Sequence, residues 1–348
     1  MKLAVVCDKS YFAPEVFSSE DPRYKEDRST CFLRVLKEKL GRMGTEVVHC
    51  ADVAPEEALG YLFINHNRSW LQKLKKTGYR GGLFLIVFES ELIIPDNWSP
   101  GVRARYSKVF SWEDPGKNEG SPDLIPYFWP NPFELKETPL PFAEKNKLCV
   151  LMASNKWKRR PKELYTERFK AILWYMKNHP EDFDLYGYDW NISAGKKIVE
   201  HIRNAVRRLK GTQIRPIDVS SVYRGNTPIK KDVLKNYKYC ICYENAENIP
   251  GYVTEKIFDC FIAGVVPVYL GWDGIIDYVP PETMIDRKKF NSYEELHDFL
   301  VSIDEREYQE YIDAIKKFLS SEDAVKFDVN TFADVLIEGM GIGQKMFS

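Results

Sequence analysis

The sequence predicts an α/β protein built from two doubly wound domains. Two series of short apolar runs alternate with amphipathic stretches, which is typical of strands alternating with helices. A segment rich in Pro, Gly and Asn, residues 115–144, separates the two series and reads as a linker. The chain has 348 residues, of which 44% are hydrophobic and 29% charged. That length suits two domains of about 100–200 residues each, and the composition suits buried cores.

The first series predicts one α/β domain over residues 1–140. Its apolar runs predict five strands, at residues 3–6, 46–50, 61–65, 83–88 and 108–112. Residues 31–42 have the apolar spacing of an amphipathic helix.

The second series predicts another α/β domain over residues 141–320, followed by a helical segment over residues 321–348. Strands are predicted at residues 148–153, 183–186, 239–243 and 265–270. Helices are predicted at residues 164–177, 196–209, 255–263, 292–300 and 305–319. Two such domains facing each other are expected to place a ligand in a cleft at the carboxyl ends of their strands.

Charge is distributed unevenly along the chain. The formal net charge is −1, which argues against a nucleic-acid binder that relies on bulk positive charge. Residues 147–256, however, contain 22 basic and 12 acidic side chains, and residues 257–348 contain 8 basic and 18 acidic ones. The middle segment is therefore expected to meet an anion. We expect a cytoplasmic protein, because no signal peptide or membrane span is apparent, with an anionic membrane surface as an alternative partner of the basic segment.

Metal and hydrolase motifs are missing from the sequence. The seven cysteines are scattered and predict reduced core thiols, and the five histidines follow no common metal-ligand spacing. Asp182 and Asp184 form a D-x-D pattern. A pattern of only three residues often occurs by chance, so we interpret the two aspartates as structural. We therefore predict no required metal or other cofactor, and at most a stimulation of turnover by divalent ions.

The richest local pattern lies at residues 239–271. It reads as a buried strand, a polar loop, a helix that begins after Thr254, and a second buried strand. Thr254 is a suitable N-cap, and Glu255 and Lys256 fall in the first turn, where free backbone N–H groups favour a bound anion. Ordinary capping would also place Glu255 there, so from the pattern alone a structural role is an equal alternative. The same holds for Asn245 and Tyr252 in the loop.

This pattern closely resembles the signature of the α1,3/4-fucosyltransferases, glycosyltransferase family ten. The similar run is YENAENIPGYVTEKIFDCFIAGVVPVYLG at residues 243–271. Two upstream segments resemble the family in the same order, LFLIVFESE at residues 83–91 and LMASNK at residues 151–156. The resemblance implies the GT-B architecture, with two Rossmann-like domains, and GDP-fucose as the donor.

The resemblance also implies catalytic roles for two carboxylates. Glu89 matches the family's proposed general base, which removes the proton of the acceptor hydroxyl in an inverting transfer. Strand alternation would place Glu91 on the same face, so the two residues need separate tests. Glu255 matches a carboxylate that contacts the donor as the fucose–phosphate bond breaks.

The remaining matched positions imply donor binding. Lys256 matches a phosphate-binding lysine, and an arginine on the helix after residues 151–156 is expected to grip the diphosphate. Arg159, Arg160 and Arg168 are its candidates, and we favour Arg168 because the following residues fit that helix. The other implied donor contacts are Ala153, Ser154, Asn155, Asn245, Tyr252, Val253 and Thr254. Tyr223 and Arg224 correspond to a nucleotide-binding segment or, equally, to a surface turn.

Together these implications predict an inverting fucosyltransferase that moves fucose from GDP-fucose to GlcNAc or glucose of a β-galactoside such as N-acetyllactosamine. One alternative is a GT-B enzyme that uses another nucleotide sugar. A second is a catalytically silent module that binds glycans or nucleotides. The loops at residues 8–29 and 95–120 are expected to select the acceptor.

Overall fold

The structure of the protein is a computed structural model, and it describes residues 1–12, 31–113, 123–133, 139–158, 160–190, 217–227 and 229–342. The chain divides into two compact units. Unit 1 comprises Met1–Phe133, Pro250–Tyr252 and Val325–Ser348, and unit 2 comprises Glu134–Ile249 and Val253–Ala324.

Unit 1 contains a sheet of six parallel strands in the order β2-β1-β3-β4-β5-β6. The strands are β1 (Lys2–Val6), β2 (Glu46–His49), β3 (Ala58–Ile64), β4 (Gly82–Val87), β5 (Lys108–Ser111) and β6 (Leu124–Pro126). The apolar runs form these strands because both faces of a parallel sheet are covered. Tyr61, Phe63, Leu85 and Val87 are accordingly buried in one core cluster.

Unit 1 also contains three helices that connect its strands, α1 (Cys31–Arg42), α2 (Arg68–Lys76) and the short α3 (Pro100–Arg103). The bounds of α1 are those predicted from its spacing. Helix α2 was not predicted from the sequence, because it has a single buried side chain, Leu74. Its N-terminus is fixed by Asn67, whose side-chain oxygen accepts a hydrogen bond from the backbone N–H of Trp70 at 3.1 Å.

Strand β6 lies within the segment that we predicted to be a linker. It is the edge strand of the sheet and ends in Pro126, and it is too short to show alternation in the sequence. Tyr127 follows it and is buried, with its hydroxyl donating to the carbonyl oxygen of Val87 at 2.8 Å. The prediction of an unstructured linker over residues 115–144 was therefore wrong at this point.

Unit 2 contains a sheet of five parallel strands in the order β11-β10-β9-β7-β8. The strands are β7 (Lys147–Met152), β8 (Phe183–Tyr186), β9 (Tyr237–Tyr243), β10 (Val266–Leu270) and β11 (Ile285–Asp286). The strand order reverses between β7 and β9. At such a switch point the crossover connections leave in opposite directions, which opens a crevice beyond the carboxyl ends of the two strands.

The other helices within the described residues are α4 (Tyr165–Asn178), α5 (Lys230–Leu234), α6 (Glu255–Ala263), α7 (Tyr293–Ser302), α8 (Glu305–Leu319), α9 (Glu322–Val325) and α10 (Val329–Met340). Helix α6 ends at Gly264, whose φ of 66° gives the left-handed C-cap. Helix α8 begins in a capping box formed by Asp304 and Glu307. Helix α10 belongs to unit 1, where Phe332 packs on Phe32 of α1 at a ring-centroid distance of 5.5 Å.

The α/β class and the presence of two doubly wound units with C-terminal helices are thus confirmed. The predicted helix at residues 196–209 lies outside the described residues, as does most of the loop at residues 8–29.

Candidate donor-binding site of unit 2

The predicted donor residues of unit 2 converge on the switch point of its sheet. Ala153, Ser154 and Asn155 follow β7 directly, and Asn245 lies two residues after the end of β9. Glu255 and Lys256 begin α6, which follows the loop after β9. Parallel strands end at one edge of the sheet, so residues far apart in the sequence meet there.

Arg168 on α4 joins the ends of these elements. Its guanidinium donates to the carbonyl oxygen of Tyr243 at 2.5 Å and 3.2 Å and to Oδ1 of Asn245 at 3.0 Å. Arg168 is only 8% exposed, although it carries a full charge. A buried guanidinium bound to backbone and amide oxygens keeps its positive charge available to an anion.

Glu244 is a fully buried carboxylate that the sequence analysis did not single out. It accepts hydrogen bonds from the backbone N–H of Thr254 at 2.8 Å, from the Thr254 hydroxyl, and from Nζ of Lys256 at 3.1 Å. Thr254 occupies the predicted N-cap position of α6, but its hydroxyl contacts Glu244 and makes no capping bond. Glu244 therefore fixes both the start of α6 and the lysine that follows.

The charges at the start of α6 stabilise one another. Burial alone would lower the pKa of Lys256, but Glu244 and Glu255 outweigh it and raise that pKa. Burial alone would raise the pKa of Glu255, but Lys256 and Lys230 outweigh it and lower that pKa. Both side chains are therefore ionised near neutral pH.

Lys230 on α5 adds a third cation that sequence reasoning missed. Its Nζ lies 2.8 Å from a carboxylate oxygen of Asp259, which raises the pKa of the lysine. Lys230, Arg168 and Lys256 line one cavity of about 40 Å³ together with Ala153. Nothing in the spacing around Lys230 distinguished it from the other basic residues of the segment.

The turn after β8 holds residues 153–155 in place. The carbonyl oxygen of Ala153 accepts from the indole N–H of Trp190 at 2.6 Å, and the backbone N–H of Asn155 donates to the carbonyl oxygen of Tyr188 at 2.9 Å. Gly187 has a φ of 139°, and a Cβ there would lie 2.0 Å from the carbonyl oxygen of Ala153. The close approach of these two turns requires glycine.

Tyr223 and Arg224 lie at the same side of the sheet but are engaged in structural contacts. The hydroxyl of Tyr223 donates to the carbonyl oxygen of Gly187 at 2.9 Å. Nε of Arg224 lies 2.6 Å from Oδ1 of Asp184, a buried residue within β8 that also accepts from the Tyr237 hydroxyl at 2.6 Å. Of the two predicted roles, these contacts favour a support for the turn at Gly187.

Two of the predicted donor contacts, which lie in the loop before α6, are buried. Val253 is 3% exposed and Tyr252 is 1% exposed. Tyr252 belongs to unit 1, where its ring centroid lies 4.8 Å from that of Trp112 and 6.4 Å from that of Trp129.

Glu89 lies in unit 1, two residues beyond the end of β4. Its backbone N–H donates to Oδ1 of Asn65 at 3.1 Å, and its carbonyl oxygen accepts from the indole N–H of Trp98 at 3.1 Å. Burial raises the pKa of Tyr127, and the nearby charge of Glu89 raises it further. Because β4 ends at Val87, strand alternation does not relate Glu89 to Glu91. Glu89 is half-buried and Glu91 is exposed.

The arginine candidates before α4 differ in their surroundings. Arg160 is exposed and Arg159 lies outside the described residues, whereas Arg168 reaches the end of β9.

A larger cavity of about 240 Å³ lies in unit 2 beyond the ends of β10 and β11. It is lined by Trp272, Asp273, Ile276, Asp286, Lys288 and Lys289, among others. Nζ of Lys288 is 2.5 Å from Oδ1 of Asp273, and Asp286 adds a second carboxylate. The smaller cavity suits a diphosphate better, because it is lined by Arg168, whose guanidinium donates to neutral oxygens, and by Lys256 in the first turn of α6.

Comparison with known proteins relates part of unit 2 and the start of α10 to a known family. Residues 193–331 match the family model described as glycosyltransferase family 10 (fucosyltransferase), C-terminal part. An alpha-(1,4)-fucosyltransferase of Arabidopsis thaliana is 38% identical over 80 residues, 22% of this chain and 20% of that protein. The alpha-(1,3)-fucosyltransferase FucT of Helicobacter pylori is 31% identical over 75 residues, 22% of this chain and 16% of that protein. The matched segments therefore span only a small part of each relative.

A solved alpha1,3-fucosyltransferase structure has a similar fold, with a TM-score of 0.52, 13% identity, and coverage of 98% of this chain and 90% of that one. The fold is that of a GT-B glycosyltransferase. Residues 193–331, which include α6, match the glycosyltransferase family 10 model, and this match supports the predicted family.

No helix within the described ranges is long and apolar enough to cross a membrane.

Proposed function

We propose that the protein is an inverting fucosyltransferase that transfers fucose from GDP-fucose to the 3- or 4-hydroxyl of GlcNAc or glucose in a β-galactoside acceptor. The observation that carries the proposal is the convergence of Arg168, Lys256 and Glu255 at the switch point of unit 2. Two of these residues lie within the family-10 segment.

The chemistry of the transfer explains why cationic side chains are needed at this site. A departing diphosphate gains negative charge as the glycosidic bond breaks, and cations fixed in advance stabilise that charge. Arg168 and Lys256 would bind the phosphate oxygens, assisted by the first backbone N–H groups of α6. In this proposal no metal is required, because Arg168, Lys256 and the first backbone N–H groups of α6 together neutralise the diphosphate. Divalent ions could still increase turnover.

Glu255 would act on the donor side. Its carboxylate is 3.7 Å from Nζ of Lys256 and ionised, so it can stabilise positive charge that develops on the fucose ring. Asn245, Thr254 and Val253 would shape the donor pocket around it, and Tyr252 stays a donor contact predicted from the resemblance. Residues 153–155 would contact the nucleotide, supported by Tyr223 and Arg224 through Gly187.

Glu89 would be the general base that accepts the proton of the acceptor hydroxyl. Its peptide is held at both ends by Asn65 and Trp98, so the carboxylate starts from a fixed backbone position. The resemblance of residues 83–91 to the family supports this role.

Product mass with a panel of donors and acceptors tests the proposal. The panel pairs GDP-fucose and UDP-sugars with lactose and with type 1 and type 2 disaccharides. We expect a deoxyhexose to be added from GDP-fucose alone, and addition of EDTA to leave some activity. Transfer only from UDP-sugars would contradict the donor, and absence of any product would favour the silent binding module.

A matched pair of variants tests whether Glu89 is the general base. Glu89→Gln removes the carboxylate and is expected to lower kcat by about 100-fold or more, whereas the exposed Glu91→Gln leaves kcat near that of the wild type. Equal GDP release by the wild type and Glu89→Gln in the presence of acceptor would show that Glu89 is not the base.

A further inference from the structure

Two histidines and an aspartate meet in unit 2, at the opposite edge of the sheet from the donor site. His179 is the C-cap residue of α4, Asp182 lies in the turn before β8, and His297 lies on α7. Their ligand atoms all lie within 4.8 Å of one another. The backbone N–H of Asp182 donates to the carbonyl oxygen of His179 at 3.2 Å, which fixes the turn that carries both residues.

The spacing of His297 and Asp182 suits an ion better than a hydrogen bond. Nε2 of His297 is 3.5 Å from Oδ2 of Asp182, which is longer than a normal N–H···O bond. Two ligands of a tetrahedral zinc ion, each bonded at about 2.1 Å, are about 3.4 Å apart.

His297 is also an imidazole without its usual partners. It is 4% exposed, and its Nδ1 has no hydrogen-bond partner within the part of the chain that the structure describes. Burying an unpaired polar group is costly. Within the described residues, no hydrogen bond to Nε2, the ring nitrogen that faces Asp182, competes with an ion.

We propose that His179, Asp182 and His297 form a zinc site that joins α7 to the turn between α4 and β8. Two imidazoles and a carboxylate are a common ligand set for zinc, with water in the remaining position. The rings of His179 and His297 are stacked at 3.9 Å, and an ion lies in the plane of an imidazole that binds it. The half-buried His179 ring therefore rotates out of the stack when zinc binds.

The site stabilises the fold and takes no part in the transfer. Asp182 precedes the amino end of β8, whereas the donor residues follow the carboxyl ends of β7 and β9. Asp184, the other aspartate of the D-x-D pair, is held by Arg224, Tyr237 and Lys147. The D-x-D pair is thus divided between a structural ion pair and the zinc site.

Zinc affinity of the full-length, reduced protein tests the site. Titration with Zn²⁺ is followed by thermal melting, and Co²⁺ is used as a spectroscopic probe of the ligands. We expect a rise in Tm with Zn²⁺ and a tetrahedral Co²⁺ absorption band without thiolate charge transfer. Asp182→Asn is expected to weaken zinc binding by about tenfold or more.

Asp298→Asn is the matched control, because it removes the same charge next to His297 from an exposed residue that is not one of the three clustered residues. This variant is expected to keep the affinity of the wild type within about threefold. Equal weakening by both variants would show general attraction of a cation, and a Co²⁺ spectrum with thiolate bands would place the ion on cysteines. Either result, or no Tm change with Zn²⁺, would overturn the proposal.

Discussion

At the scale of single residues, the start of α6 depends on the buried carboxylate of Glu244. Glu244 is fully buried and binds the backbone and hydroxyl of Thr254 as well as Nζ of Lys256. A buried carboxylate is tolerated when its oxygens are occupied in this way. Glu244 thereby holds Lys256 at the start of α6 before any anion arrives.

Replacing the lysine tests this arrangement. Lys256→Met is expected to weaken GDP binding by about 10- to 100-fold, since a hydrogen bond to a charged group contributes about 1.5–3 kcal/mol. Isothermal titration calorimetry with GDP measures the change. Lys288→Met is the matched control, because it removes the same charge beside the cavity at Trp272. Weaker binding only in the Lys288→Met variant would place the diphosphate in that other cavity.

Glu255, Lys256 and Arg168 were predicted as donor ligands from the family resemblance. The structure brings them to the switch point of unit 2, and their roles as ligands stay predictions. Glu244 and Lys230 gave no local signal, because their roles arise from contacts 12 and 29 residues along the chain. His297 and Asp182 are 115 residues apart, a separation that no motif spacing covers.

At the scale of elements, the ends of β7 and β8 are held together by an approach that only glycine permits. Hydrogen bonds in both directions join residues 153–155 to the turn at residues 186–190. A Cβ at Gly187 would overlap the carbonyl oxygen of Ala153.

A pair of glycine substitutions tests this contact. Gly187→Ala is expected to destabilise unit 2 by about 2–3 kcal/mol and to weaken GDP binding, because residues 153–155 must move away. Gly225 has a φ of 101°, but a Cβ at this position would meet nothing within 4 Å, so Gly225→Ala isolates the effect of backbone strain. Thermal melting and GDP titration of both variants give the comparison. Identical losses in the two variants would show that the Ala153 contact has no importance.

Lys145 is a buried lysine near the amino end of β7, and it makes a pH-dependent contribution to the free energy of unfolding. Lys145 is 2% exposed, and its Nζ donates to the carbonyl oxygens of Lys235 at 2.8 Å and Tyr237 at 3.2 Å. Burial lowers the pKa of Lys145 from 10.5 to about 8. Between these two pH values the unfolded chain holds a proton that the folded protein has lost, so stability rises with pH across that window.

Urea unfolding of the wild type and of Lys145→Met measures this contribution. From pH 7.5 to pH 10.5 the wild type is expected to gain about 3 kcal/mol relative to the variant, the equivalent of the lowered pKa. A constant difference between the two proteins over this range would show that the lysine is not perturbed by burial.

The bounds of the predicted strands were accurate where both faces of the strand are buried. Strands β1, β4, β7, β8, β9 and β10 lie within about two residues of their apolar runs, because parallel strands in a covered sheet are apolar throughout. Strand β6 and helix α2 were missed because each is short or exposes most of its surface. A sheet edge and a solvated helix leave little periodicity to detect.

At the scale of the whole molecule, the sequence segregates its charge in a way that fits a diphosphate donor. The basic excess of residues 147–256 includes Arg168, Lys230 and Lys256, and the acidic excess lies after residue 257. A positive region around the switch point would attract an anionic donor from solution. This attraction would weaken at high salt.

The most direct measurement is a crystal structure of the protein soaked with GDP. Our account predicts the diphosphate beside Arg168 and Lys256, at the start of α6, with the nucleoside next to residues 153–155. Density for GDP in the cavity lined by Trp272, or anywhere else remote from Lys256, would contradict it.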